Sequence, residues 1–228
     1  MIISFKHKFI YIKTRKTAGT SIEIALSSIC GDSDIITPLN DEDEQLRLRA
    51  TGRSAQNFKV SLISYSFKDI IRSLKYLKRK VFYNHMPASE IKRHVDAVTW
   101  NTFYKFGFER DPIFKAISHY SYRNGKIKYT NFEDYLNSGD INKIKGTFFY
   151  TNVNGEILVD KIYKLEELEL AFQDLADCFS LTDGQLKSPT IHAKKGNWER
   201  EIIPEEIRKT YGDKIKEIFA FEYSHLYR

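Results

Sequence analysis

The hydrophobic positions of this chain begin as an unbroken run at residues 9–12, Phe9, Ile10, Tyr11 and Ile12, which predicts a buried strand. The run stops at Lys13. A short stretch of basic, small and hydroxyl residues follows, and residues 21–28 (SIEIALSS) then predict the first turns of a helix. Residues 81–83 (VFY) predict a second, short strand, residues 84–87 (NHMP) the loop leaving its end, and a helix starts near Ala88. Residues 103–109 predict an aromatic-rich strand that ends at Arg110, Asp111 and Pro112. Proline suits the start of the next helix, where Ile113, Ala116, Ile117 and Tyr120 recur at helical spacing. Further on, Ile157, Leu158 and Val159 predict a strand, followed by Ile162 and Tyr163. Residues 165–178 predict a helix with Leu168, Phe172, Leu175 and, just beyond, Phe179 on one side. A last helix ends in FEYSHLY. No repeat, low-complexity tract or linker rich in proline, glycine or serine divides these elements, so residues 1–228 read as one domain.

Two segments are patterned by charge. Asp41, Glu42, Asp43 and Glu44 are consecutive and suit a solvated loop or a helix N-terminus, where carboxylates favour the dipole. Across residues 59–83, Lys59, Lys68, Arg72, Lys75, Lys78, Arg79 and Lys80 stand against the single acid Asp69, while Ile70, Ile71, Leu74 and Leu77 fall at helical spacing. This predicts an amphipathic helix with a basic outer face, either simply solvated or leaning toward an anionic acceptor.

Composition narrows the class. With 42% hydrophobic and 14% aromatic residues in 228, the chain can bury a sizeable core, and the aromatics suit one built around a sheet. A formal charge of +6 permits an anionic ligand without demanding nucleic acid, and no nucleic-acid partner is expected. Cys30 and Cys178 are too few and too far apart for a disulfide framework or a zinc site and read as reduced core thiols. No segment has signal-peptide shape or approaches the roughly 20 apolar residues of a membrane span, so a soluble, cytoplasmic protein is expected.

The loop at residues 13–20 carries the first candidate chemistry. A strand, a loop of small residues and a helix together point backbone N–H groups and a positive helix end at an anion, so this loop is expected to hold a phosphate. It is not the usual nucleotide loop, in which the lysine follows the second glycine. Here Lys16 precedes Gly19, and Thr20 and Ser21 follow it. His85 is the second candidate. It stands in the loop after the predicted strand at residues 81–83, and in an open α/β sheet such loops line the ligand crevice. Its ring can take a proton near neutral pH, as activation of a sugar hydroxyl requires. His94 and His119 are the runners-up. The third candidate is the pair Arg110 and Ser118, a guanidinium fork and a hydroxyl suited to phosphate oxygens.

The order K-[TS]-x-G-[TS]-[TS] directly after an N-terminal strand resembles the 5′-phosphosulfate loop of sulfotransferases that use 3′-phosphoadenosine 5′-phosphosulfate (PAPS). Residues 110–118 resemble that family's second element, R-[DN]-P-x-x-x-x-x-S, whose arginine and serine hold the 3′-phosphate. NHMP is similar to the H-x-[PR]-like element of glycosaminoglycan 2-O-sulfotransferases, where histidine is the base. Residues 155–181 resemble a strand and helix of carbohydrate sulfotransferases, with Asp160 and Glu166 at acidic positions expected to be structural. Residues 194–196 (Lys194, Lys195, Gly196) followed by Trp198 are similar to the R-K-G loop that closes over the nucleotide in cytosolic members. The C-terminal segment has Glu222 where aspartate is commoner, and Arg15 stands where many members have proline. Lys13 adds a second charge beside Lys16.

The resemblance implies an α/β, P-loop-like three-layer sandwich with a central, mainly parallel sheet flanked by helices. It implies in-line transfer of a sulfuryl group from PAPS to a hydroxyl, most simply of a carbohydrate, leaving adenosine 3′,5′-bisphosphate. Lys16 would stabilise charge on the bridging oxygen. Arg15, Thr17, Ala18, Gly19, Thr20 and Ser21 would cradle the 5′-phosphate, Arg110 and Ser118 the 3′-phosphate, Lys195 and Gly196 would cover the nucleotide, and His85 would act as base. No metal is required. Animal carbohydrate sulfotransferases of the Golgi are membrane-anchored, so the resemblance points to a bacterial or similar enzyme. Two rivals share the loop: a P-loop nucleotide kinase or NTPase, and a non-catalytic relative that binds a polyanion or glycan by its basic face.

Overall fold

The structure, a computed structural model, describes residues 1–127, 129–189 and 203–227. Five strands form one sheet: β1 (Ile2–Ser4), β2 (Phe9–Ile12), β3 (Ile35–Ile36), β4 (Tyr104–Glu109) and β5 (Lys161–Lys164), in the spatial order β3-β1-β2-β4-β5. Among them run α1 (Gly19–Ser27), α2 (Asp41–Thr51), α3 (Phe67–Tyr76), α4 (Ala88–Lys92), α5 (Ala97–Thr102), α6 (Pro112–Ile127), α7 (Phe132–Asn137), α8 (Gly146–Tyr150), α9 (Leu168–Cys178), α10 (Pro204–Ile218) and α11 (Ala220–His225).

The sheet is mixed, which corrects the expectation of a mainly parallel one. β2 pairs parallel with β4, and β4 with β5, but β1 runs antiparallel to both β2 and β3. The reason is local. Only residues 5–8 join β1 to β2, too few for the crossover that parallel neighbours need. Asp34 holds this hairpin turn, accepting hydrogen bonds from Ser4 Oγ (2.7 Å) and the N–H groups of Phe5 (2.7 Å) and Lys6 (3.1 Å).

Alternation along the strands splits the core between two faces. Phe9, Tyr11, Phe106 and Phe108 pack with Ile22 and Leu26 of α1 and with Phe172 and Leu175 of α9. Ile10 and Ile12 face the other way, against Met86, Ile91, Trp100, Phe149 and Tyr150. Helices thus cover both faces, and all four side chains of β2 are buried, as an uninterrupted apolar strand at the sheet centre requires. A third cluster joins Ile113 and Ile117 of α6 to Tyr135 of α7 and Ile215 of α10.

Other expectations are adjusted locally. Residues 81–83 form no ladder: Val81 makes an isolated bridge to Lys59, and the Phe82 N–H donates to Phe58 O (2.7 Å). Ile157 likewise only bridges Thr151, and pairing with β4 starts at Lys161. The closing helix is two helices, broken at buried Phe219. The four acids at residues 41–44 are the first turn of α2, capped by Asn40. Cys30 is buried, but Cys178 is exposed at the end of α9 and is not a core thiol. Among the described residues no helix is long and apolar enough to cross a membrane.

Candidate functional site

Because β2, β4 and β5 are parallel neighbours, the loops leaving their carboxyl ends emerge along one edge of the sheet. The first loop is pinned from below. Thr14 Oγ1 donates to Phe108 O of β4 (2.7 Å) and lies 3.0 Å from Thr17 Oγ1, so both hydroxyls are spent on holding the loop to its neighbour strand. Thr17, expected in the phosphate cradle, has its buried hydroxyl turned toward Thr14, which leaves its backbone to face an anion.

Lys13 turns inward as well. Its ammonium is buried, 2.8 Å from Glu23 Oε2 on α1 and 3.4 Å from Thr20 Oγ1. Glu23 is also met by Arg47 (3.3 Å) and the Met1 amino nitrogen (3.1 Å). Lys13, which the sequence sets as a second charge beside Lys16, is thus committed beneath the loop. Gly19 is dictated by that arrangement: a Cβ there would sit 2.8 Å from Lys13 Cγ and 2.9 Å from Lys13 Cε.

Above this base the backbone twists. Lys16 and Ala18 both adopt left-handed conformations, with φ of 66° and 53°, unfavourable for residues bearing a Cβ. Ala18 is the N-cap of α1, its carbonyl accepting from the Ile22 N–H (3.2 Å), and it offers no capping side chain. The opening N–H groups of α1, at Gly19, Thr20 and Ser21, have no partner within the helix and lie at its positive end, with no acidic residue in the first turn. Helix formation starts at Gly19, two residues before the predicted Ser21, so Gly19 to Ser21 form this end themselves.

The second element assembles on α6. Asp111 caps it, its Oδ1 accepting from the N–H groups of Ile113 (2.8 Å) and Phe114 (3.3 Å), while its own N–H donates to Glu166 Oε1 (2.9 Å). Arg110, half-buried between β4 and α6, places its guanidinium 5.6 Å from the Phe114 ring centre. Lys16 reaches across from the first loop and sets its ammonium 4.6 Å from the Tyr122 ring centre. Phe114, Ser118 and Tyr122 are spaced four apart and share one helix face. Half-buried Ser118 therefore lies on the stripe between the ring that carries Arg110 and the ring that carries Lys16. The aromatic anchors were not read from the sequence, although Tyr122 stands one turn beyond Ser118.

His85 also joins the loop. At φ 62°, it places Nδ1 3.1 Å from Lys13 O. A carbonyl only accepts, so Nδ1 carries the proton and Nε2 keeps a lone pair. Burial, with the positive charge of Lys13 beside it, lowers its pKa to about 4. His119, on α6, is buried and bonds Tyr135 Oη through Nδ1 (2.8 Å). Burial, followed by the charges of Lys16 and Arg123, lowers its pKa to about 4 as well. His94 is buried elsewhere, against the edge of the Phe82 ring.

Beneath Arg110, Glu109 closes β4 and is wholly buried, paired to Lys115, which also lies 3.7 Å from Glu222. Glu222 in turn accepts from the Gly146 N–H (2.7 Å). Asp160 accepts from the Lys105 N–H (2.7 Å), and Glu166 accepts from the Asp111 N–H and from Tyr227 Oη (2.8 Å), so both acids brace loops and strands. Lys194, Lys195, Gly196 and Trp198 lie outside the described residues. Among the described residues no group of three or more His, Cys, Asp or Glu is placed to hold a metal ion. The chain matches no protein-family model, no curated protein and no solved structure.

Proposed function

We propose that the chain is a PAPS-dependent sulfotransferase acting on a hydroxyl, with a carbohydrate as the acceptor class, on a P-loop-like fold. The observation that carries this reading is the shared face of α6. Arg110 stacks at its start, Lys16 two turns further on, and Ser118 between them. Eight residues of helix rise about 12 Å, which suits two anionic groups on one ligand better than a single phosphate. A nucleoside carrying a 3′-phosphate and a 5′-phosphosulfate has that form.

In this reading the positive end of α1 and the N–H groups of Gly19 to Ser21 hold the 5′-phosphate, and Arg110 with Ser118 holds the 3′-phosphate. The acceptor oxygen attacks sulfur in line as the bond from sulfur to the bridging oxygen breaks. The electron pair leaves on the 5′-phosphate of adenosine 3′,5′-bisphosphate, where the Lys16 ammonium stabilises it. The hydroxyl proton passes to His85 Nε2, the nitrogen left basic by the bond to Lys13 O.

The test is incubation with radiolabelled PAPS and a panel of neutral and anionic polysaccharides. Label is expected on a polysaccharide, and not with Lys16→Ala. No transfer to any acceptor, together with salt-sensitive polyanion binding, would favour a non-catalytic binding protein.

A further inference from the structure

The amphipathic helix predicted within residues 59–83 exists as α3, but its apolar side faces solvent. Phe67, Ile70, Ile71 and Leu74 lie on one face at spacings of three and four. They are 77%, 45%, 49% and 70% exposed, and no residue of the helix is buried. Leu62 and Ile63 before the helix and Leu77 after it are exposed as well. An exposed apolar stripe of this extent marks an interaction site.

Charge identifies what it meets. Lys68, Arg72 and Lys75 are exposed and follow one flank of the stripe at spacings of four and three, with exposed Lys78 and Arg79 beyond its end. The only acid in the segment, Asp69, is turned away into the capping box with Ser66 and an ion pair with Lys80 (2.8 Å). The helix is thus held in shape by its own cap and by Lys80, which also lies 3.4 Å from Glu90 of α4. An occupant must offer an apolar layer bordered by negative charge. We propose that α3 is an interfacial helix that lies on an anionic phospholipid bilayer, with Phe67, Ile70, Ile71 and Leu74 among the acyl chains and the flanking cations at the headgroups. This surface does not depend on the sulfotransferase reading.

The test is co-sedimentation of the full chain with vesicles of phosphatidylcholine alone and of phosphatidylcholine mixed with phosphatidylglycerol. Binding to the mixed vesicles is expected, weakening with salt and slight on the neutral ones. The triple substitution Lys68→Ala, Arg72→Ala and Lys75→Ala is expected to lower partitioning roughly a hundred-fold, about five-fold per cation. Ile71→Asp with Leu74→Asp is expected to abolish it while the melting temperature stays unchanged, because neither side chain is buried. The proposal is overturned if the unaltered chain ignores anionic vesicles, or if the aspartate variant still binds them. It is equally overturned if the aspartate variant converts an oligomer of the unaltered chain to monomers with no vesicle binding in either, which would make a second copy the occupant.

Discussion

Lys13 Nζ and Glu23 Oε2 lie 2.8 Å apart, both buried under the first turn of α1. This pair sorts the two lysines of the loop, one as foundation and the other, Lys16, as the cation that reaches the α6 face. Glu23 also pairs with Arg47, which Glu44 holds as well. Glu23→Ala is expected to destabilise the chain by about 3–5 kcal/mol in denaturant titration, because it leaves buried cations uncompensated. A loss under about 1 kcal/mol, as for exposed ion pairs, would contradict that role.

Gly19 is tied to the same lysine. Gly19→Ala is expected to cost about 1–3 kcal/mol, since the methyl group meets Lys13 carbons at 2.8 and 2.9 Å and the pinned ammonium keeps the chain from swinging away. Combining it with Lys13→Ala should recover much of that cost, a coupling measurable in a double-mutant cycle. Strict additivity would mean the two residues do not press on one another.

His85 is expected to act without a neutral-range acid limb. With its pKa near 4, the ring is already unprotonated at pH 6, so kcat/KM should stay level down to about pH 5 and fall only below it. The same depressed value means that the unfolded ring takes up its proton first, so stability from this residue is lost as pH falls from 6.5 toward 4. His85→Ala should lower kcat by about 10²- to 10⁴-fold with nucleotide affinity kept. Activity that survives in His85→Ala but disappears in His119→Ala would move the base to α6.

Glu109 reports in the opposite direction. Burial, against the pull of Lys115, raises its pKa from 4.5 to about 7, so between those values the folded chain holds the proton that the unfolded chain releases. Its contribution to stability is therefore fully present below pH 4.5 and lost as pH rises to about 7. Glu109→Gln removes this dependence, and its melting temperature relative to the unaltered chain should climb across that window and then level off. A constant offset would show that Glu109 ionises in the fold as it does in water.

Much of this frame was legible in the residue order. The apolar run of β2, the aromatic β4 and Pro112 at the start of α6 each follow from local chemistry, and these put Lys16 and Arg110 at strand ends. That β2 and β4 are neighbours, bringing both ends to one edge, appears only in the pairing. The antiparallel β1 was missed because three residues before a tight turn carry too little periodicity. The inward course of Lys13 was missed because Glu23 reads as an ordinary polar helix position until the fold brings the two together. In α3 the period was right, but periodicity alone does not say whether an apolar face is covered.

The central claim is that one nucleotide is gripped at both ends, and calorimetric titration with adenosine 3′,5′-bisphosphate and with adenosine 5′-monophosphate tests it directly. The bisphosphate should bind more tightly than the monophosphate and than ATP. Arg110→Ala should reduce its affinity to the level of the monophosphate while leaving the monophosphate unchanged. Equal losses for both ligands in Arg110→Ala, or tighter binding of ATP, would contradict the account.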